Sequence, residues 1–233
     1  MSNDEFKREA ANAAVDRYVR SGMVLGLGTG TTATLAVRRI GELLASGDLN
    51  DVSGVPTSAR TMAQANEVGI PLATLSDTRP HLTIDGTDEV APDLALIKGR
   101  GGALLREKIV ASSSEEGLIV VADSTKVVDS LGVGPLPVEI DSFGWQATLE
   151  ALASLGCEPE LRMDQADPEH PFVTDGGHYT ADCQFDPISD PASLEIEIKK
   201  IPGALECGLF VDIAQAAIIA GRDGTRTLEG SPR

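Results

Sequence analysis

Aromatic residues supply only 3% of this 233-residue chain, cysteine occurs three times, and lysine is scarce. Cys157, Cys183 and Cys207 are odd in number, far apart and without C-x-x-C spacing. Neither a disulfide framework nor a zinc knuckle is indicated, and inert core thiols are expected. Few aromatics among many aliphatics suit Val/Ile/Leu strands beneath Ala/Leu helices better than an aromatic-rich binding module. No apolar run approaches the roughly 20 residues of a membrane span, and the N-terminal MSNDEFKREAANAAVDRYV lacks the apolar core of a secretory leader. The sequence therefore predicts a soluble, cytoplasmic protein. Basic residues are outnumbered 36 to 19, giving a formal net charge of -17. A field of that sign repels nucleic-acid phosphates and anionic membranes, so neither is an expected partner. The acids are spread through the chain, which fits surface solvation in a high-salt cytoplasm and ordinary cytosolic acidity equally.

What the chain does contain is a rhythm of strands that end in polar or glycine-rich turns. Its length allows one large α/β domain, or a main domain with a smaller one inserted. Ser2, Asn3 and Asp4 can each cap a first helix, in which Ala10, Ala13, Ala14, Tyr18 and Val19 recur at near-helical spacing. MVLGLG reads as a buried strand, GTGTT as its turn, ATLAVRRIGELLAS as a helix ending near Gly47, and DVSGVPTS as a second strand and turn. After a short helix over ARTMAQANEVG, the segments HLTIDGTDEV, LALIKGRGG and GLIVVADSTK each place a strand before such a turn. In an open parallel sheet these turns gather at the carboxyl ends of the strands, where ligands bind.

After Lys126 the texture changes. LPVEI, the helix-like GWQATLEALASLG, PELRM, a strand-turn-strand over PFVTDGGHYTADCQF and the helix-like PASLEIEIKKI predict a compact β-α-β-β-α unit. The expected architecture is α/β: a Rossmann-like open, mainly parallel sheet with helices on both faces, plus a smaller α+β, ferredoxin-like insert. On this reading residues 1–130 and 204–225 form the main domain, with ALECGLFVDIAQAAIIAG returning two segments to its sheet. Residues 131–203 form the insert, and 226–233 an exposed tail.

GLGTGTTA, from Gly26 to Ala33, leads from a strand into a helix. Thr29, Gly30, Thr31 and Thr32 offer backbone N–H groups and hydroxyls to an anion, or make a tight turn that binds nothing. The segment is not a dinucleotide fingerprint, because Thr31 stands where the third glycine is required, and it lacks the Lys-Ser/Thr of a Walker loop. IDGTDEV clusters Asp85, Asp88 and Glu89 after a strand. Such acids hold a divalent metal, bind sugar hydroxyls or form an Asx-type turn, and the lack of a neighbouring His leaves a metal poorly supported.

KGRGGALLREK is a sharper signal. Lys98 and Arg100 stand at a strand end, Gly101 and Gly102 let backbone approach a ligand, and on the following helix Leu105 and Ile109 share a face while Glu107 points elsewhere. Taken alone, Glu107 reads more readily as a solvated carboxylate beside a cation than as a functional group. VVADSTK repeats the design, with Lys126 either a point charge for phosphate or an ordinary surface lysine. His81, His170 and His178 have neither metal-ligand spacing nor a nucleophile partner, and no catalysis is assigned to them.

Taken together and in this order, GLGTGTTA, TSARTMAQA, IDGTDEV, IKGRGGALLREKIV, VADSTK, LPVEI, TDGGHYTADCQF and IPGALECGLFV resemble ribose-5-phosphate isomerase of the A type. The resemblance runs from the first helix to about Gly221. It implies interconversion of ribose 5-phosphate and ribulose 5-phosphate in the non-oxidative pentose phosphate pathway, without metal or organic cofactor. It also implies a homodimer or homotetramer, with the insert as lid and oligomerisation unit. Carried over residue by residue, the substrate-binding loops fall on Thr29, Gly30, Thr31 and Thr32, on Asp85, Gly86, Thr87 and Asp88, and on Lys98, Gly99, Arg100 and Gly101. The general base falls on Glu107 and a later binding lysine on Lys126. The chain departs from the commonest pattern at Thr31 (usually Ser), Thr87 (usually Ala) and Arg100 (often Gly), and Arg100 either adds a phosphate contact or faces solvent.

The chemistry suits these residues. Moving a carbonyl from C1 to C2 requires removal of the C2 proton and return of one to C1, which a single carboxylate, Glu107, can perform on one face of a cis-enediolate. Lys98 is the cation expected to stabilise the charge on oxygen. Asp85 and Asp88 are expected to bind hydroxyls and assist ring opening. Phosphate would rest on Thr29 to Thr32 beside Lys126, with Lys7 a further candidate. Two rival readings share the architecture: a sugar-phosphate sensor that binds without converting, and an acyl-CoA transferase with a covalent glutamate. The absence of a helix-turn-helix extension, with Glu107 and both aspartates kept, favours the enzyme over the sensor.

Overall fold

The computed structural model describes residues 2–230. Helix α1 (Asn3–Tyr18) opens on a capping box: the Ser2 hydroxyl accepts the Glu5 N–H and the Glu5 carboxylate accepts the Ser2 N–H. Its buried face is Phe6, Ala10, Ala11, Ala14 and Val15. There follow β1 (Val24–Leu27), α2 (Ala33–Ser46), β2 (Ser53–Pro56), α3 (Ala59–Glu67), β3 (Leu82–Gly86), β4 (Glu89–Val90), β5 (Leu96–Ile97), α4 (Leu104–Ser113) and β6 (Leu118–Asp123). The second half holds β7 (Leu136–Ile140), α5 (Trp145–Ala153), β8 (Glu158–Leu161), β9 (Tyr179–Gln184), α6 (Pro191–Lys199), β10 (Ala204–Cys207), β11 (Leu209–Phe210), β12 (Ala214–Gly221) and β13 (Gly224–Glu229). Among the described residues, no helix is long and apolar enough to cross a membrane.

The main sheet has six strands in the order β13-β12-β6-β3-β1-β2, parallel except for the β12–β13 hairpin. Strand alternation divides its core. Ile119, Val121, Ala216, Ile218 and Ala220 face one side, with Ala10, Ala14 and Val15 of α1 and Ala36, Val37 and Ile40 of α2. Leu118, Val120, Ala122, Ala217 and Ile219 face the other, with Ala111 of α4 and with Val90, Leu96 and Phe210. Every residue of β6 is buried, as a central parallel strand covered on both faces should be.

The smaller unit runs β7-α5-β8-β9-α6-β10, with strand order β10-β7-β9-β8 and every neighbouring pair antiparallel. That is the ferredoxin-like arrangement. Its core gathers Leu136, Val138, Ile140, Leu152, Ala181 and Ile198. Cys157, Cys183 and Cys207, all free, are buried there too.

Four expectations are corrected. β5 is not in the main sheet but in a three-stranded sheet, β11-β5-β4. β10, expected to rejoin the main sheet, pairs with β7 and closes the small one, so the unit extends past residue 203 to Cys207. Of the strand-turn-strand, only β9 is a strand; Pro171 makes one isolated bridge to Met163. Finally, residues 226–229 are not tail. They belong to β13, which the short turn at Arg222 and Asp223 folds back on β12; the Gly230 N–H donates to the Gln215 carbonyl at 2.9 Å, and 231–233 lie outside the described residues.

Candidate active site

In the main sheet the chain leaves β1 toward β2 on one side and β3 on the other. The crevice beyond the carboxyl ends at such a reversal is where open α/β sheets place ligands. One cleft there is lined by Thr29, Gly30, Thr31 and Thr32 after β1, Gly86, Thr87 and Asp88 after β3, Lys98, Gly99, Gly101 and Glu107 around the start of α4, and Lys126 after β6.

The loop after β1 is shaped by what lies beneath it. A side chain at Gly28 would put its Cβ 2.2 Å from the Asp85 carboxylate, so only glycine lets the two loops meet. Asp85 Oδ1 then accepts the Thr29 N–H at 3.1 Å and the Gly86 N–H at 2.7 Å. The Thr29 hydroxyl turns inward to those of Thr57, Ser58 and Thr61, at 2.7, 2.8 and 3.0 Å. Helix α2 has no side-chain cap at Thr32; the Thr34 and Leu35 N–H groups donate to the Gly30 and Thr32 carbonyls at 2.9 and 3.0 Å, so an anion at this helix start would meet the turn N–H groups before them.

Glu107 is where isolated sequence reading misled. On α4 the buried positions are Leu104, Glu107, Lys108, Val110 and Ala111, while Ile109, on the expected apolar face, is 47% exposed. Glu107 is therefore not solvated: it is 3% exposed and lies on the inner face one turn after Leu104. Beside it, Lys98 Nζ sits 3.0 Å from Asp85 Oδ2 and 3.4 Å from Glu107 Oε2, and donates to the Gly86 carbonyl at 2.6 Å.

Two buried carboxylates thus share one ammonium. Burial raises the Glu107 pKa from 4.5 to about 8; the Asp85 charge adds to the rise and Lys98 opposes it. Burial pushes the Asp85 carboxyl up as well, against Lys98 and the N–H groups of Gly86 and Thr29. Those two N–H donors and the nearer ammonium favour the Asp85 anion, and the Asp85 charge in turn helps hold the Glu107 carboxyl above the ordinary glutamate range. For Lys98, burial works against the charge, but Asp85 and Glu107 outweigh it and hold the ammonium above the ordinary lysine value. Asp85 Oδ2 and Glu107 Oε2 both lack a well-directed hydrogen bond, leaving acceptor capacity in a dry site.

The clustered acids of IDGTDEV part company. Asp85 turns to Lys98, and Asp88 lines the cleft while accepting the Arg100 N–H at 3.0 Å. Glu89 turns away to the N–H groups of Gly132, Val133 and Gly134 at 2.9, 3.3 and 2.7 Å. The Thr87 hydroxyl donates to the carbonyls of Glu89 and Ile97. Arg100 is not brought into the cleft by its side chain, which pairs with Glu89 at 3.4 Å. Lys7 pairs with Asp4 at 3.3 Å and does not line the cleft. Lys126 does, placed by a 3-10 turn over Ser124–Lys126 in which the Asp123 carboxylate accepts the Thr125 N–H at 3.0 Å. None of His81, His170 or His178 lines it. Glu195, Glu206 and Cys207 also lie within 4.8 Å of one another, but Lys108 and Lys199 already bind those carboxylates at 2.5 to 2.8 Å.

Sequence reading missed two contributors. The hydroxyls of Thr57, Ser58 and Thr61 were legible as a Ser/Thr-rich turn at the end of β2, the same position as the other site loops. Arg162, whose guanidinium reaches the Gly99 carbonyl 63 residues away, had no local signal.

Three comparisons bear on this geometry. The family model for ribose 5-phosphate isomerase A (phosphoriboisomerase A) matches residues 53–224. Ribose-5-phosphate isomerase A of Gloeobacter violaceus is 53% identical over 99% of this chain and 99% of its own, and that of Rhodopseudomonas palustris strain BisB18 is 50% identical over 98% and 99%. Among solved structures, a D-ribose-5-phosphate isomerase in complex with phospho-erythronic acid superposes with a TM-score of 0.95 at 40% identity, covering 98% of this chain and 100% of that one. The ribose 5-phosphate isomerase of Plasmodium falciparum superposes at 0.93 with 42% identity and the same coverage. With its sheet order, its ferredoxin-like unit and its buried Asp85-Lys98-Glu107 cluster, this chain belongs to the ribose 5-phosphate isomerase A family.

Proposed function

We infer that the protein interconverts D-ribose 5-phosphate and D-ribulose 5-phosphate through a cis-enediolate, with Glu107 as the base. The observation that carries this reading is a carboxylate 3% exposed, 3.4 Å from an ammonium, at the floor of a cleft rimmed by an uncapped helix start and a lysine. Glu107 takes the C2 proton of the open-chain aldehyde. The electron pair becomes the C1–C2 double bond, and negative charge collects on the C1 oxygen. Return of the proton to C1, with transfer of the C2 hydroxyl proton to the C1 oxygen, yields the ketose. Lys98 faces the developing oxyanion and stabilises it more than the neutral carbonyl. A base with a pKa near 8 accepts a carbon-bound proton better than an ordinary carboxylate does, provided the pH is high enough to ionise it.

The remaining roles follow from position. Asp85, pinned by two N–H groups, keeps Lys98 charged and in place. Asp88, with one oxygen on the Arg100 N–H, has the other available to a substrate hydroxyl and for opening the furanose ring. The phosphate dianion lies on the Gly30, Thr31 and Thr32 backbone with Lys126 beside it. The related enzyme's phospho-erythronic acid fits this reading, because its carboxylate presents two oxygens on one planar carbon, much as an enediolate presents two in one plane.

We further propose a cytoplasmic homodimer or homotetramer with the smaller unit contributing to assembly. Phe143 and Ile196 on that unit, and Val133 just before its first strand, are 90%, 57% and 74% exposed, apolar surface that a partner subunit would cover. The test of function is a paired assay of Glu107→Gln: the account expects ribose 5-phosphate to bind with near-normal affinity while turnover falls by about 10²–10⁴ or more. Near-normal turnover would remove Glu107 from the role.

A further inference from the structure

The smaller unit touches the site at one place that the reaction scheme leaves unexplained. Arg162, just past β8, lies with its side chain only 15% exposed. Its guanidinium grips Asp182 with two nitrogens, Nε at 2.8 Å to Oδ2 and Nη2 closer still to Oδ1. The remaining nitrogen, Nη1, donates to the Gly99 carbonyl at 3.0 Å and the Arg100 carbonyl at 3.3 Å. Phe172 completes the bracket. Arg162 lies 5.9 Å from the centroid of its ring, and a Cβ at Gly102 would come within 2.4 Å of that ring. The glycine loop beside the cleft is thus held from outside by a cation fixed at its other end.

The carbonyl of Gly99 and the N–H of Arg100 belong to one planar peptide group. Its carbonyl end accepts from Arg162 and its N–H end donates to Asp88 Oδ2 at 3.0 Å. A cation on the oxygen of a peptide group strengthens the hydrogen bond that its N–H makes, because successive hydrogen bonds polarise one another. We propose that Arg162 is a positioning residue for Asp88, acting through the Gly99–Arg100 peptide group. The chain Asp182–Arg162–peptide–Asp88 fixes which Asp88 oxygen faces the protein and leaves the other to the sugar. This proposal rests on the reading of Asp88 as the group that assists opening of the furanose ring.

That role separates Asp88 from the enolisation chemistry of Glu107, and the two substrates separate them experimentally. Ribose 5-phosphate is presented mainly as a ring that must open. Ribulose 5-phosphate cannot close a five-membered ring, since its C5 oxygen carries the phosphate, so exchange of its C1 proton in D2O reports enolisation alone. Arg162→Gln is expected to lower kcat for ribose 5-phosphate conversion by about 10–100-fold, while C1 exchange into ribulose 5-phosphate stays within about threefold of the wild-type rate. Arg162→Lys, which keeps a charge but loses the fork, should fall between. Asp182→Asn should shift the same ratio in the same direction, and with the lysine variant it carries the test if Arg162→Gln does not fold.

Asp88→Asn is the companion measurement. If it leaves ribose 5-phosphate conversion unchanged, the reading of Asp88 itself fails. If it lowers conversion and spares exchange, but the folded Arg162 variants keep both rates or lose both equally, the positioning role of Arg162 is overturned.

Discussion

Replacing Glu107 by glutamine should make the protein more stable above neutral pH while destroying its turnover. In the folded state the carboxyl is displaced from 4.5 to about 8, first by burial and then by the Asp85 charge. The group therefore favours folding fully below the unfolded pKa, and that contribution is lost as pH rises through the folded one. Between about pH 4.5 and 8 the folded chain holds a proton that the unfolded chain has released, so stability falls by about 1.4 kcal/mol per pH unit. Summed over that window the cost is on the order of 5 kcal/mol, with the opposing effect of Lys98 already contained in the shift, and local relaxation makes it an upper bound. Glutamine keeps the shape and removes the cost. Lys98 retains Asp85 at 3.0 Å, so no buried charge is orphaned. The assay is thermal unfolding of both proteins from pH 5 to 9, expected to give curves that converge near pH 5 and separate by several degrees at pH 9. A variant equally or less stable at pH 9 would refute the claim that Glu107 is a desolvated, strained carboxylate.

Other consequences follow from the same geometry. The kcat/KM of the wild type should rise with pH to an apparent pKa near 8, because the free enzyme must release the Glu107 proton before it can accept one from carbon; a flat profile from pH 6 to 9 would contradict this. Lys98→Met should abolish measurable isomerisation and destabilise the fold by about 3–5 kcal/mol in urea unfolding, since it leaves Asp85 and Glu107 buried without their cation. Lys126→Ala should raise KM about tenfold or more with a smaller change in kcat, as loss of a phosphate contact does, and the difference from wild type should shrink at high salt. If the charge of -17 is an adaptation to a high-salt cytoplasm, the melting temperature should climb from low to molar KCl; an unchanged value would leave ordinary cytosolic acidity.

The fold was largely legible because its signals are local. Polar or glycine-rich turns after apolar runs marked β1, β3 and β6, and the near-continuous apolar runs of LIVVAD and AQAAIIAG needed no partner to be read. What sequence misplaced were short strands whose sheet is chosen by tertiary contact. LI of β5 and ALEC of β10 look like any apolar segment until β11 and β7 lie beside them. β13 reads as tail because GTRTLE has no apolar run and the two turn residues, Arg222 and Asp223, are not the Asn-Gly or Asp-Gly pair that marks a hairpin in sequence. At the site, the loops were found by chemistry, but Glu107 by itself read as a surface charge. Its burial depends on Leu104 and Ala111 packing the same face of α4, and its pKa on Asp85, brought near from β3. Arg100 misled in the opposite sense: a cation in a glycine loop looked like a phosphate ligand, and the fold turned it to Glu89.

The central claim is proton transfer by Glu107 across one face of a cis-enediolate, and conversion of ribose 5-phosphate in D2O tests it most directly. The account predicts that deuterium in the early wild-type product lies at one of the two C1 positions, entering to the extent that the Glu107 carboxyl exchanges with solvent between the two transfers, and that Glu107→Gln loses product and label together. Product formed at the wild-type rate by the variant, or deuterium entering both C1 positions of the early wild-type product without preference, would contradict it.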